Sequence, residues 1–106
     1  MFKLSDSQYP VRIDYFKHNN INIIKVEAGC RHSLFLDSNG WVYGCGLTKG
    51  KNHNTERIYT PIKLEDISDL ECIDMFAGDT NSFAIDSKGM PYKWEGVTGK
   101  FEIIDD

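Results

Sequence analysis

The sequence predicts an all-β protein, and three observations carry that prediction. Short β-rich runs recur between turn signals along most of the 106 residues, which is the layout of antiparallel sheets rather than helices. A stretch at residues 26–46, VEAGCRHSLFLDSNGWVYGCG, returns at residues 75–95 as MFAGDTNSFAIDSKGMPYKWE. Each copy holds Asp-Ser-x-Gly between two such runs, pairing a side-chain acceptor with a glycine that can take the left-handed turn of a hairpin.

Taken in order, residues 9–14 alternate apolar and charged side chains after Pro10. That pattern suits an outer strand, where a missing amide donor is tolerated. Residues 60–65, TPIKLE, repeat the design around Pro61. Between Tyr15 and Asn22 the pair Asn19-Asn20 signals a turn. Residues 23–28 form the next strand, with Ile24, Val26 and Ala28 expected on one face and Lys25 and Glu27 on the other; residues 72–77 are its counterpart. Both end at Ala-Gly, where Gly29 and Gly78 permit a positive φ or a close backbone approach.

Residues 33–37 and 82–86 are apolar in the middle and short enough to be buried in a sheet. The turn glycines Gly40 and Gly89 follow, then returning strands at residues 41–45 and 90–94. Pro91 marks a position that gives no donor to a central ladder. Residues 47–59, LTKGKNHNTERIY, lack an apolar period and read as a surface loop with a basic cluster, Lys49, Lys51, His53 and Arg57. Residues 65–71, EDISDLE, read as an acidic loop, and residues 101–104 as a final strand, for about nine strands in all.

The paired stretches superimpose Gly29 on Gly78, His32 on Asn81, Gly40 on Gly89 and Tyr43 on Tyr92. The pattern V-x-A-G-x-x-H-S-L-x-L-x-x-x-G-x-V-Y-x-C-G of the first copy resembles the repeat of the regulator of chromosome condensation family. The second copy is degenerate: Asn81 replaces the His, Pro91 the Val, and Glu95 the closing Gly. The resemblance implies a β-propeller of the seven-bladed type. Each repeat of about 50 residues would supply one four-stranded antiparallel blade, here a first repeat over residues 9–59 and a second over 60–96. The remainder, 97–106, would begin a further strand or a tail. Two blades make an incomplete ring, so the chain is expected to be part of a longer propeller or, next, to self-associate through exposed blade faces; collapse of the two units into a small sandwich is the third alternative.

Chemistry is sparse. Cys30, Cys45 and Cys72 form no CxxC clip and cannot all pair, so they are expected to be reduced thiols. A zinc reading of Cys30, His32, Cys45 and His53 is disfavoured, because His32 and Cys45 fall on repeat positions whose copies, Asn81 and Trp94, cannot supply the same ligands. His32-Ser33 with Asp37 invites a hydrolase reading, but neighbouring residues on a strand point to opposite faces. No phosphate-cradling glycine pattern occurs. We therefore expect no enzyme activity, no cofactor and no metal.

Residues 1–63 hold nine Lys or Arg against five Asp or Glu, and residues 64–106 hold three against eleven. Opposite fields of this kind favour complementary contacts with a partner, or head-to-tail contacts between copies. The acidic balance argues against nucleic acid, and the absence of a long apolar run against a membrane. The expectation is an intracellular protein, cytoplasmic or nuclear, that binds other proteins, with the cluster Lys49, Lys51, His53 and Arg57 as the contact loop. Guanine nucleotide exchange on a small GTPase, within a larger propeller, is the alternative that the resemblance implies.

Overall fold

The computed structural model describes residues 14–49 and 55–104. The described residues are all-β apart from a four-residue helix α1 (Tyr15–His18) and one 3-10 turn (Glu65–Ile67). Strands β1 (Ile23–Ala28), β2 (His32–Asp37), β3 (Val42–Lys49) and β4 (Thr55–Lys63) form one antiparallel sheet in chain order. Strands β5 (Cys72–Ala77), β6 (Asn81–Asp86), β7 (Pro91–Glu95) and β8 (Glu102–Ile103) form a second with the same order. Among the described residues no helix is long and apolar enough to cross a membrane.

The hairpin turns are built alike. Asp37 Oδ1 accepts the amides of Asn39 (2.8 Å) and Trp41 (2.9 Å), and Oδ2 accepts the Tyr43 hydroxyl at 3.0 Å. Asp86 does the same for Lys88 and Met90 (2.9 Å each) and for Tyr92 (3.1 Å). A buried carboxylate is tolerable only with its oxygens occupied in this way. Gly40 and Gly89 then turn the chain at φ +86° and +83°.

A single four-stranded sheet cannot bury both of its faces, and here the sheets cover one another. Leu34, Leu36 and Val42 of the first meet Met75, Ala84 and Trp94 of the second, with Leu64, Ile67, Cys72 and Val97 closing the cluster. All ten are at most 4% exposed, the condition under which apolar burial stabilises most. The backbones also touch. Cys72 donates its amide to the Gly40 carbonyl at 3.0 Å, so the turn of the first sheet sets the start of β5.

The opposite face of the first sheet holds Phe35, Tyr43 and Cys45, packed under Tyr15, Phe16 and Ile21 from α1 and the turn after it. Phe16 lies 4.9 Å from Phe35 and 5.3 Å from Tyr43 between ring centroids. Among the described residues the opposite face of the second sheet has no such cover. Phe83 and Ile85 alternate with the buried Ser82, Ala84 and Asp86 and so point away from the first sheet, while Ile73 (62% exposed) stands open.

Several sequence expectations need correction. Residues 47–59 are not one surface loop: Leu47–Lys49 continue β3, and β4 begins at Thr55. Thr60–Lys63 belong to this outer strand of the first sheet, so the boundary drawn at 59/60 falls inside β4. Residues 15–18 form a helical turn ahead of the Asn19-Asn20 reversal, where Asn20 has φ +56°. Ile24 is 54% exposed rather than facing inward with Val26, because a bulge between Ile23 and Lys25 shifts the alternation by one. Residues 65–67 form a 3-10 turn that buries Ile67. The lead-in strand around Pro10 lies outside the described residues.

Gly29 and Gly78, equivalent by sequence, are not equivalent in space. A Cβ on Gly29 would collide with the Gly78 carbonyl and come within 2.9 Å of the His32 ring, whereas one on Gly78 would meet nothing closer than the Asn81 carbonyl at 3.6 Å. Neither takes a positive φ, so close approach is the reason for glycine at position 29. Gly29→Ala is expected to destabilise by about 2 kcal/mol or more. Gly78→Ala should be neutral or stabilising by up to about 1 kcal/mol. Urea unfolding of the two variants measures both.

Candidate functional site

At the end of the first sheet where β2 starts, β3 outruns its neighbour. His32 pairs with Gly46, and beyond it Leu47, Thr48 and Lys49 pair only with Arg57, Glu56 and Thr55 of β4. The result is a hairpin that projects past the sheet. Among the described residues the second sheet has no counterpart: β7 stops at Glu95, and residues 96–101 connect it to the short β8.

The hairpin's base is pinned to the second sheet. Thr48 is 4% exposed, and its Oγ1 accepts the amides of Val97 (2.9 Å) and Thr98 (3.1 Å). On the other side, Leu47 donates its amide to the Arg31 carbonyl at 2.7 Å. Arg57 is exposed on β4, and Lys49 closes β3 opposite Thr55; Lys51 and His53 lie outside the described residues. Arg31, exposed in the β1–β2 turn, joins this basic end, although the sequence cluster did not include it. Its counterpart Thr80 is uncharged, and only the Leu47–Arg31 backbone contact brings it to the hairpin. At the same end of the second sheet stand the exposed Asp79 and Glu95, so the rim changes sign from one sheet to the next.

Beneath the rim, His32 crosses from sheet to sheet. Its Nε2 lies 2.9 Å from Ser82 Oγ, and Ser82 Oγ lies 2.6 Å from the Gly96 carbonyl. The hydroxyl has one proton, which it donates to the carbonyl, so His32 must carry its proton on Nε2 and donate to the hydroxyl. Its partner is thus a side chain of the other sheet. Burial lowers the pKa of His32 from 6.5. Asn81 holds the equivalent place on the uncovered side of β6.

The thiols do not converge. Cys30 is exposed, while Cys45 and Cys72 are buried, where desolvation pushes their pKa values up to about 12 and about 11. Among the described residues no group of three or more His, Cys, Asp or Glu is placed to hold a metal. Lys25 and Asp74, the same position in the two repeats, form an ion pair between β1 and β5. The hydrogen bond from Lys25 holds the Asp74 carboxyl below its usual range, and Lys25 also lies 4.7 Å from the Phe76 ring centroid.

The His32 shift makes stability depend on pH with a definite sign. As pH falls through 6.5 the unfolded chain takes up a proton at this ring and the folded chain does not, so stability drops. The slope is at most about 1.4 kcal/mol per pH unit. The lowered carboxyls of Asp74 and Asp86, by contrast, contribute losses only below their ordinary 3.8. Denaturant unfolding at a series of pH values from about 7.5 to 5 should show the decline in the parent protein and a flatter profile in His32→Gln.

No family model matches the sequence. The E3 ubiquitin-protein ligase HERC2 of human is 30% identical over 88 residues, which is 80% of this chain and 2% of that protein, and the mouse protein matches equally. Human WBSCR16 superposes with a TM-score of 0.68 at 20% identity, covering 78% of this chain and 25% of its own. Yeast RCC1 (Prp20) in its complex with Kap60 gives 0.67 at 23% identity, covering 82% and 25%. Prp20p from Saccharomyces cerevisiae, described with its binding to Gsp1p and histones, gives 0.65 at 20% identity, covering 80% and 22%. The chain thus spans about a quarter of these solved propeller chains and a small part of HERC2. Its two four-stranded sheets are RCC1-like repeats, stacked as consecutive blades of a β-propeller.

Proposed function

We propose that the chain is a propeller-type protein–protein interaction module with no catalytic activity of its own, working inside the cell, and that the β3–β4 hairpin is its contact element. The observation that carries this reading is the hairpin itself: a basic element that extends beyond the sheet and is held at its base by Thr48 and Arg31. A preorganised protrusion binds with less ordering cost than a free loop, and its charge complements an acidic protein surface. The similarity to Prp20, described as binding Kap60, Gsp1p and histones, supports protein partners.

Reversing charge with Lys49→Glu, Lys51→Glu and Arg57→Glu together is expected to leave folding intact, as for Arg57, which is exposed. It should weaken the purified partner complex by about tenfold or more. Affinity capture from cells with quantitative mass spectrometry, followed by titration of each captured protein, measures this; an unchanged set of partners with unchanged affinities would sink the hairpin reading.

The link of Prp20 to Gsp1p supports a second reading, regulation of nucleotide exchange on a small GTPase as part of a larger propeller. Nucleotide-release kinetics on a panel of small GTPases separate the two, because an interaction module alone leaves the release rates at their intrinsic values.

A further inference from the structure

The polar contacts between the two sheets converge on one turn. Ser82 Oγ donates to the Gly96 carbonyl and accepts from His32 Nε2, and the Gly96 amide donates to the Thr80 carbonyl at 2.6 Å. The next two amides, of Val97 and Thr98, are the ones that hold Thr48 Oγ1 at the base of the β3–β4 hairpin. Packing here leaves no slack: a Cβ on Gly96 would lie 2.6 Å from Thr48 Oγ1. Residues 96–98 thus join the His32 ring to the hairpin through Ser82. In the second copy Asn81, a side chain that does not titrate, stands in place of His32.

We propose that His32 is a proton-operated latch on the hairpin: when the ring takes up a second proton, the 96–98 turn releases Thr48 and the hairpin loosens. Because the Nε2 hydrogen is already given to Ser82, that proton goes to Nδ1, which lies beside Gly29. At this end of the elements packed against the ring the described titratable groups are Glu27 of β1, Cys30 and Arg31 of the β1–β2 turn, Asp79 of the β5–β6 turn, Glu95 of β7 and Lys100 of the turn after it. All but the half-buried Glu27 are exposed, and among the described residues Ser82 is the side chain that bonds to the ring. Lys25 and Asp74 hold each other. A buried imidazolium without an acidic partner is costly, and opening the turn returns it to water. Burial keeps the ring's pKa below 6.5 in the closed state, and exposure moves it back toward that value. Opening therefore grows easier as pH falls through 6.5, by at most about tenfold per pH unit. Weaker partner binding in acid is the consequence, and that consequence rests on the hairpin's being the contact element; the latch itself does not.

Amide hydrogen exchange on the full chain, followed by NMR at about pH 7.5 and about pH 5.5 and corrected for intrinsic rates, tests the latch. The Val97 and Thr98 amides are expected to exchange through an opening at least about tenfold more populated than the global unfolding measured in urea. Their protection is expected to fall several-fold between the two pH values, and by about tenfold at most. His32→Gln keeps an N–H for Ser82 but cannot be protonated, and it is expected to show no fall. If that variant does not fold, His32→Asn, with the residue of the second copy, takes its place. Exchange of these amides by global unfolding alone, protection that ignores pH, or the same fall in the variant overturns the proposal. Should the amides respond as expected while partner affinity stays level with pH, the latch is supported and it is the contact reading of the hairpin that fails.

Discussion

The burial of Leu34, Leu36 and Val42 against Met75, Ala84 and Trp94 is the contact on which the molecule rests. Each sheet alone has only four strands and two apolar faces, too little to close a core. Stacking them leaves a buried apolar layer between, and the remaining features serve that layer. Gly29 lets the backbones meet, His32 and Ser82 satisfy polar atoms at its edge, and Lys25 with Asp74 brackets the inner strands.

The same local chemistry has been placed in two surroundings. The Asp37 and Asp86 turns are near copies, down to the tyrosine hydroxyl on the second carboxylate oxygen. Yet a Cβ on Gly40 would lie 3.0 Å from the Cys72 amide nitrogen, whereas one on Gly89 would meet nothing within 4 Å. Among the described residues, one turn lies against a neighbouring segment and the other does not. Differences of this sort come from stacking order, and no reading of either repeat by itself contains them.

Much of the fold was legible because its signals are local. Strand positions, the Asp-Ser-x-Gly turns and the internal repeat all follow from residues a few places apart. What escaped was set at a distance. Strand β4 shows no clear alternation through Thr55, Glu56 and Arg57, since its far end stands clear of the sheet and pairs only with β3. Helix α1 has four residues, far too few to be stable alone, and exists through Phe16 against Phe35 and Tyr43. Arg31 and Thr48 matter through backbone or hydroxyl contacts with remote segments. Of the basic cluster, Arg57 and the backbone of Lys49 are placed on the hairpin.

The amide of Cys72 on the carbonyl of Gly40 bears on how such chains diverge. A main-chain bond is indifferent to the side chains that flank it, so it can hold consecutive units at one spacing whatever residues they carry. That is how a second unit can lose its histidine, its valine and its closing glycine and still sit squarely on the first. Repeats joined in this manner can wander in sequence until a motif search no longer finds them, long before their geometry gives way.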